Sequence, residues 1–154
     1  MLARRTRRHG LAPAVMYLDL DGFKAINDRF GHHAGDDVLT QVAARLSETL
    51  PQGELVARIG GDEFVVAIDD TTMQACSAQA AQIIRRISAP YMLSIGQTVN
   101  LGISIGIALD RDCDAPDELI RQADCALYEA KSCGKGIYRF YSNGSRSVAP
   151  AAAG

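Results

Sequence analysis

The segment over residues 97–109 constrains the fold more than any other, because its residues alternate strictly in character. The apolar positions are Val99, Leu101, Ile103, Ile105, Ile107 and Leu109. The positions between them carry small or polar residues. Because side chains alternate across a strand, the pattern predicts one long strand with an apolar face and a small-residue face. The small-residue face would allow a helix to pack closely.

Apolar runs predict further strands over residues 14–20, 55–59, 64–68 and 137–141. Gly60 and Gly61 separate the second and third of these runs and predict a tight hairpin, since such turns require positive φ. Helical spacing predicts helices over residues 24–30, 36–50, 72–88 and 116–131, with residues 32–35 as a loop and a basic helix over 2–10.

The order of these elements predicts an α/β (α+β) fold. Strands and helices alternate, but the hairpin requires a mixed, antiparallel-rich sheet flanked by helices, of the palm or ferredoxin-like kind. We expect one domain over residues 1–141 and a disordered tail over residues 142–154, which is rich in Ser, Gly, Pro and Ala.

Charge and composition exclude several classes of protein. A formal net charge of -2 argues against an extended nucleic-acid surface. No apolar run approaches the roughly 18 residues that a membrane span requires. The four cysteines form no C-x-x-C pair. We therefore expect reduced thiols in a cytoplasmic protein, with no zinc, nucleic-acid or membrane partner.

Two acidic pairs interrupt the apolar strands. Asp19 and Asp21 point to the same side at the end of the first strand, and Asp62 and Glu63 follow the hairpin glycines. A buried carboxylate needs a compensating cation, and oxygen ligands suit Mg²⁺. If the hairpin lies beside the first strand, the acids complete a metal site. Alternatively, Asp21 caps the turn at Gly22 or the next helix, and the second pair is a solvated hairpin tip.

Three motifs in order resemble one family. Residues 60–64 (GGDEF) are letter for letter the motif that names the GGDEF domain, the catalytic domain of diguanylate cyclases. Residues 19–32 (DLDGFKAINDRFGH), continued by Gly35 and Asp36, resemble the first-strand motif of that family. Residues 123–131 (ADCALYEAK) resemble its last-helix motif. The resemblance covers residues 14–140 and implies the nucleotide cyclase fold.

The resemblance implies a reaction and a cofactor. The family condenses two GTP into cyclic di-GMP and two pyrophosphates between two facing domains, so a homodimer is expected. Mg²⁺ (or Mn²⁺) would be held by Asp19, the carbonyl oxygen of Leu20 and Asp62. Asp62 or Glu63 would accept the proton when the 3′-hydroxyl of one GTP attacks the α-phosphorus of the other. The resemblance does not choose between these two acids.

The resemblance also implies residues that bind the phosphates. The backbone N–H groups of Gly22 and Phe23, together with Lys24, would meet the triphosphate. Lys131 and Lys135 would reach its β- and γ-phosphates. Lysines at this position also suit a helix C-terminus for purely electrostatic reasons. Lys135 stands where the family commonly has arginine, so bidentate geometry is lost there.

Guanine would be read by Asn27 and Asp36. A carboxylate accepts from the guanine N1–H and amino groups, and an amide donates to its ring acceptors. His32 is a further candidate for this pocket. Without the resemblance, Asn27 would be an exposed helix residue, Asp36 a helix N-cap and His32 a solvated loop residue.

Two departures from the family pattern bear on activity. Where many members carry an inhibitory Arg-x-x-Asp motif, residues 51–54 read PQGE, so we expect no product inhibition through that site. Family domains also open with a helix before the first strand, and the chain begins within it. We therefore expect an N-terminally truncated domain without its sensory domain. The alternative function is a weak or inactive domain that binds GTP or cyclic di-GMP for signalling.

Overall fold

The structure is a computed structural model that describes residues 10–109 and 115–142. The strands are β1 (Ala12–Asp21), β2 (Leu55–Arg58), β3 (Glu63–Thr71), β4 (Tyr91–Met92), β5 (Thr98–Val99), β6 (Gly102–Leu109) and β7 (Tyr138–Phe140). The helices are α1 (Phe23–Phe30), α2 (His32–Thr49), α3 (Met73–Ile87) and α4 (Pro116–Ser132). The predicted basic helix and disordered tail lie almost wholly outside the described residues.

Five strands form the central sheet in the order β2-β3-β1-β6-β7. The central strand β1 is antiparallel to both of its neighbours, and only the β6–β7 pair is parallel. The predicted mixed, antiparallel-rich sheet with helices packed on it is therefore confirmed. Within residues 10–109 and 115–142, no helix has the length and apolar character needed to cross a lipid bilayer.

The two faces of the sheet carry different layers. Helices α1, α2 and α3 cover the apolar face, where Leu18, Ile105 and Ile107 are fully buried. Helix α4 covers the other face. A Cβ on Gly106 would overlap the backbone of α4, with Leu127 Cα at 2.8 Å. The predicted close approach of a helix to the small-residue face is confirmed.

The structure corrects three local predictions. Helix α2 begins at His32, so residues 32–35 are helical rather than a loop, and Gly35 serves the packing of α2 against α1. The single long strand is divided into β5 and β6, because Val99 pairs with Tyr91 in a small second sheet. Gly60 and Gly61 do join β2 to β3, but neither has positive φ, because four residues form this connection instead of two.

Candidate active site

The register of the central sheet brings the two acidic pairs together. Asp19 on β1 lies directly opposite Glu63 on β3, and the Leu20 N–H donates to the carbonyl of Asp62 at 3.1 Å. The hairpin therefore lies beside the first strand, which is the arrangement that the sequence required for the acids to meet. Asp62 occupies the bend that precedes β3 and is half-buried.

A single ammonium group compensates both aspartates of the first strand. Lys131, near the end of α4, places its Nζ 3.1 Å from Asp19 Oδ2 and 3.1 Å from Asp21 Oδ1. The three side chains are 28%, 18% and 11% exposed, in the order Lys131, Asp19, Asp21. The last helix is thus tied electrostatically to the end of the central strand.

Asp19 is held at an energetic cost. Burial raises the pKa of its carboxyl group; the Lys131 ammonium opposes this shift, and the negative charges of Asp62 and Glu63 add to it. Its second oxygen, Oδ1, is buried and has no hydrogen-bond partner among the described residues. A buried carboxylate oxygen without a partner is unfavourable unless a cation or donor binds it.

Asp21 has a different set of contacts. Its Oδ2 accepts from Ser104 Oγ at 2.7 Å and from the Gly136 N–H at 3.1 Å. It does not cap the following helix, whose N-cap residue Gly22 has no side-chain cap bond. Asp21 therefore joins the end of β1 to β6 and to the turn after α4, which is structural but is not the capping role considered from the sequence.

Glu63 is contacted by a residue that the sequence did not single out. Tyr17 Oη donates to Glu63 Oε2 at 3.2 Å. Burial and the negative charge of Glu63 raise the pKa of Tyr17 to about 12. Nearby, Arg58 donates to the carbonyls of Gly60 and Gly61 at 3.0–3.2 Å and so fixes the connection that carries the second acidic pair.

The residues fit a magnesium ion only in part. Among the described residues, no three His, Cys, Asp or Glu side chains converge to form a complete metal site. Mg²⁺, however, is commonly bound by one or two carboxylates together with substrate phosphates. Asp19, with its unpartnered buried oxygen, and the neighbouring Asp62 satisfy that smaller requirement.

The candidate phosphate-binding residues surround the first helix and the last turn. Gly22 has φ 86° at the start of α1, a conformation that glycine adopts without strain. Phe23 is buried and Lys24 is exposed. Lys135 is exposed and has φ 61°, the one positive φ of a non-glycine residue within the described part of the chain. Of the predicted lysines, only Lys131 lies among the acids.

The candidate guanine-binding residues lie near the contact between α1 and α2. The Asn27 side chain lies over Gly35, the residue before Asp36, and its Oδ1 is buried without a hydrogen-bond partner among the described residues. Asp36 is exposed and lines an adjoining cavity of about 470 Å³. The cavity is also lined by Leu39, Thr40, Ala43, Arg58 and Phe64. His32 is exposed at the first position of α2.

Sequence reasoning missed Tyr17, Ser104 and Arg58. Tyr17 lies two positions before Asp19, so strand periodicity places it on the acidic face, but this does not reveal that its hydroxyl reaches β3. In the sequence, Ser104 is only one of the small or polar residues that alternate with the apolar positions of residues 97–109. Its bond to Asp21 depends on the β1–β6 register, which the sequence does not contain.

Comparisons with known proteins agree on one family. The family model for the diguanylate cyclase GGDEF domain matches residues 1–136. The bifunctional diguanylate cyclase/cyclic di-GMP phosphodiesterase MucR of Pseudomonas aeruginosa is 42% identical over 131 residues, 84% of this chain and 19% of MucR. Diguanylate cyclase TpbB of the same species is 43% identical over 138 residues, 88% of this chain and 32% of TpbB.

A solved structure supports the same conclusion for the fold. The structure of a shortened TpbB that comprises only its GGDEF domain superposes with a TM-score of 0.82 at 43% identity. The match covers 87% of this chain and 79% of that structure. The chain spans between about a fifth and a third of the length of the two full-length relatives.

Proposed function

The chain belongs to the diguanylate cyclase GGDEF domain family, and on that basis we propose that it condenses two GTP into cyclic di-GMP and two pyrophosphates. One observation carries this proposal: Asp19, Asp62, Glu63 and Lys131 gather at one end of the sheet, and a buried oxygen of Asp19 lacks a partner. The intact acidic set favours turnover over mere binding of a nucleotide.

The acids divide into binding and proton-transfer roles. Asp19 and Asp62, with the carbonyl oxygen of Leu20, would hold Mg²⁺ (or Mn²⁺), which when bound neutralises phosphate charge. Glu63 then remains to accept the proton of the attacking 3′-hydroxyl, because it lies opposite Asp19 and has one oxygen already oriented by Tyr17. Asp62 is the alternative base, being adjacent in sequence.

Positive charge and backbone amides would orient the triphosphate. Lys131 already lies beside Asp19, so a phosphate bound near that carboxylate would also meet its ammonium group. Lys24 and Lys135 are exposed and would turn toward the phosphates on binding. The Gly22 conformation leaves the N–H groups of Gly22 and Phe23 at the start of α1, where anions are favoured.

The pair Asn27 and Asp36 would supply the preference for guanine. The Asn27 amide and the Asp36 carboxylate lie on adjoining turns of α1 and α2, with His32 as a further exposed contact. The Asn27 Oδ1 is buried against Gly35, so the NH₂ group of the amide would donate to the guanine ring acceptors. The described residues carry one guanine-binding pair and one acidic cluster, which is enough for one GTP. Two copies of the chain must therefore face each other to join two GTP.

The test is to incubate purified protein with GTP and Mg²⁺ and to separate the products by chromatography. Cyclic di-GMP should form, and the rate per molecule should rise with protein concentration because two half-sites must meet. Asp62→Asn combined with Glu63→Gln should lower the rate by about 10³-fold or more while circular dichroism and melting stay near wild type. Product formation by that double variant at a rate near that of wild type would contradict the assignment. Binding of GTP without product would favour the signalling alternative.

A further inference from the structure

We propose that Tyr17 is a positioning residue that orients Glu63 through a hydrogen bond, an inference that rests on the function proposed above. The Tyr17 hydroxyl lies 3.2 Å from Glu63 Oε2, and the two residues are 46 positions apart in sequence. A tyrosine hydroxyl keeps its proton at neutral pH, so it donates to the carboxylate.

The ring of Tyr17 is fixed by its surroundings. On one side its strand partner is Gly106, over which the backbone of α4 lies. On the other side its strand partner is Val65, and both side chains pack against a small apolar cluster beneath α4. That cluster comprises Val15, Ala108, Leu119 and Ala123. These contacts restrict the half-buried ring and so define the position of its hydroxyl.

The Glu63 side chain is flexible enough to require such a donor if its carboxylate is to stay in one position. It begins β3 at the edge of the hairpin connection and has several rotatable bonds, so its carboxylate would otherwise sample many positions. A Cβ at Gly60 would lie 3.0 Å from the same oxygen, Oε2, so this carboxylate fits between a glycine and the tyrosine. The hydrogen bond therefore favours one side-chain conformation, in which Oε1 is the oxygen that Tyr17 does not bind.

Three carboxylates act electrostatically on the Tyr17 hydroxyl, and Glu63 accepts its hydrogen bond. Asp19 lies on the same strand face, and Asp124 of α4 also lies close enough for its charge to act on Tyr17. The cation nearest the cluster, Lys131, is already paired with Asp19 and Asp21. Tyr17 is thus an uncharged hydrogen-bond donor to Glu63 on this face of the sheet.

The decisive variant is Tyr17→Phe, which keeps the packed ring and removes only the donor. We expect kcat to fall by about tenfold while KM for GTP stays within about twofold, the behaviour of a group that acts on the reaction step rather than on binding.

Two matched tyrosines serve as controls. Tyr91→Phe removes a buried hydroxyl that donates to the Ile87 carbonyl at 2.6 Å, and should lower the melting temperature but leave kcat unchanged. Tyr128→Phe alters an exposed side chain and should change neither.

A second measurement does not depend on catalysis. In a double-mutant cycle of Tyr17→Phe and Glu63→Ala, monitored by chemical unfolding, the two changes should be non-additive, because each alone removes the same bond. Additive unfolding energies, or an unchanged kcat in Tyr17→Phe beside an active wild type, would overturn the proposal. A wild-type protein that makes no cyclic di-GMP would instead refute the proposed function, and the cycle would still decide whether the contact exists.

Discussion

The two faces of strand β1 carry out opposite tasks. Met16, Leu18 and Leu20 point to the layer of α1, α2 and α3 and are at most 2% exposed. Tyr17, Asp19 and Asp21 alternate with them and point to α4. One stretch of backbone therefore contributes core on one side and acidic chemistry on the other. The contrast shows that a strand can hold charged groups in fixed positions when its other face is securely packed.

Burial stabilises the fold on the apolar face of β1 and disfavours the ionised carboxylates on the acidic face. Burying each large apolar side chain stabilises the fold by about 1.5–3 kcal/mol. On the α4 face, burial raises the pKa of Asp19, so the fold works against the ionised form that the proposed chemistry needs. Lys131 offsets that cost through two ion pairs. The apolar face therefore contributes most of the free energy of unfolding, and burial of the carboxylates on the acidic face lowers it.

The largest predicted effect breaks the packing that brings α4 to the sheet. In Gly106→Ala the new Cβ would overlap the backbone of α4, which cannot move aside as a flexible side chain can. We expect the free energy of unfolding to fall by about 3 kcal/mol, measured by urea unfolding. Gly102→Ala is the matched control on the same strand, because its Cβ would meet Asp21 Cβ at an ordinary 3.6 Å. Equal losses in the two variants would show that α4 does not pack as described.

The next effect removes the charge that compensates the acidic face. In Lys131→Met, Asp19 and Asp21 lose their shared cation, and we expect a loss of about 2 kcal/mol in unfolding free energy. This is less than a fully buried pair would lose, since the lysine is 28% exposed. The cyclase rate should fall as well. Lys135→Met makes the same chemical change four residues away, on an exposed side chain, and should alter stability by less than about 0.5 kcal/mol. A Lys131→Met variant as stable as wild type would mean that the ion pairs contribute nothing.

The smallest effect lies in the other layer and tests whether base recognition is separate from the acidic face. In Gly35→Ala the new Cβ would displace the Asn27 side chain, whose Cγ lies 2.8 Å from that position. KM for GTP should rise about tenfold with kcat nearly unchanged, the pattern expected when substrate binding alone is weakened. The fold should tolerate the change, because alanine favours a helix by about 1 kcal/mol over glycine. Asn27→Ala should reproduce the rise in KM, and adding Gly35→Ala to it should have no further effect. An unchanged KM in both variants would remove Asn27 from the proposed guanine pocket.

Much of the fold follows from local patterns in the sequence. Alternation in residues 102–109 predicts both faces of β6, and the apolar run before Asp21 predicts the central strand. The resemblance carried by the three motifs at residues 19–32, 60–64 and 123–131 predicts the family, which the comparisons confirm. These features succeed because each depends on residues that are close together in the chain.

The errors arise where a residue serves a distant partner. Gly35 reads as part of a loop, yet it is helical and makes room for Asn27. Gly60 reads as a turn former, yet its φ is not positive and its lack of a side chain leaves space for Glu63. The contacts of Lys131 with two aspartates, like the Tyr17 bond, depend on sheet register and helix docking. No local pattern contains that information.

The contact between Asp21 and Gly136 has a consequence for synthesis of the protein. The two residues are 115 positions apart, so the carboxylates of the first strand gain their full set of partners only after nearly the whole domain has left the ribosome. Until then, the nascent chain holds an acidic strand with neither its lysine nor its closing turn. Contacts of such long range form late, because loop closure must precede them. Catalytic competence should therefore arise in a single step, at the end of folding, rather than grow with chain length.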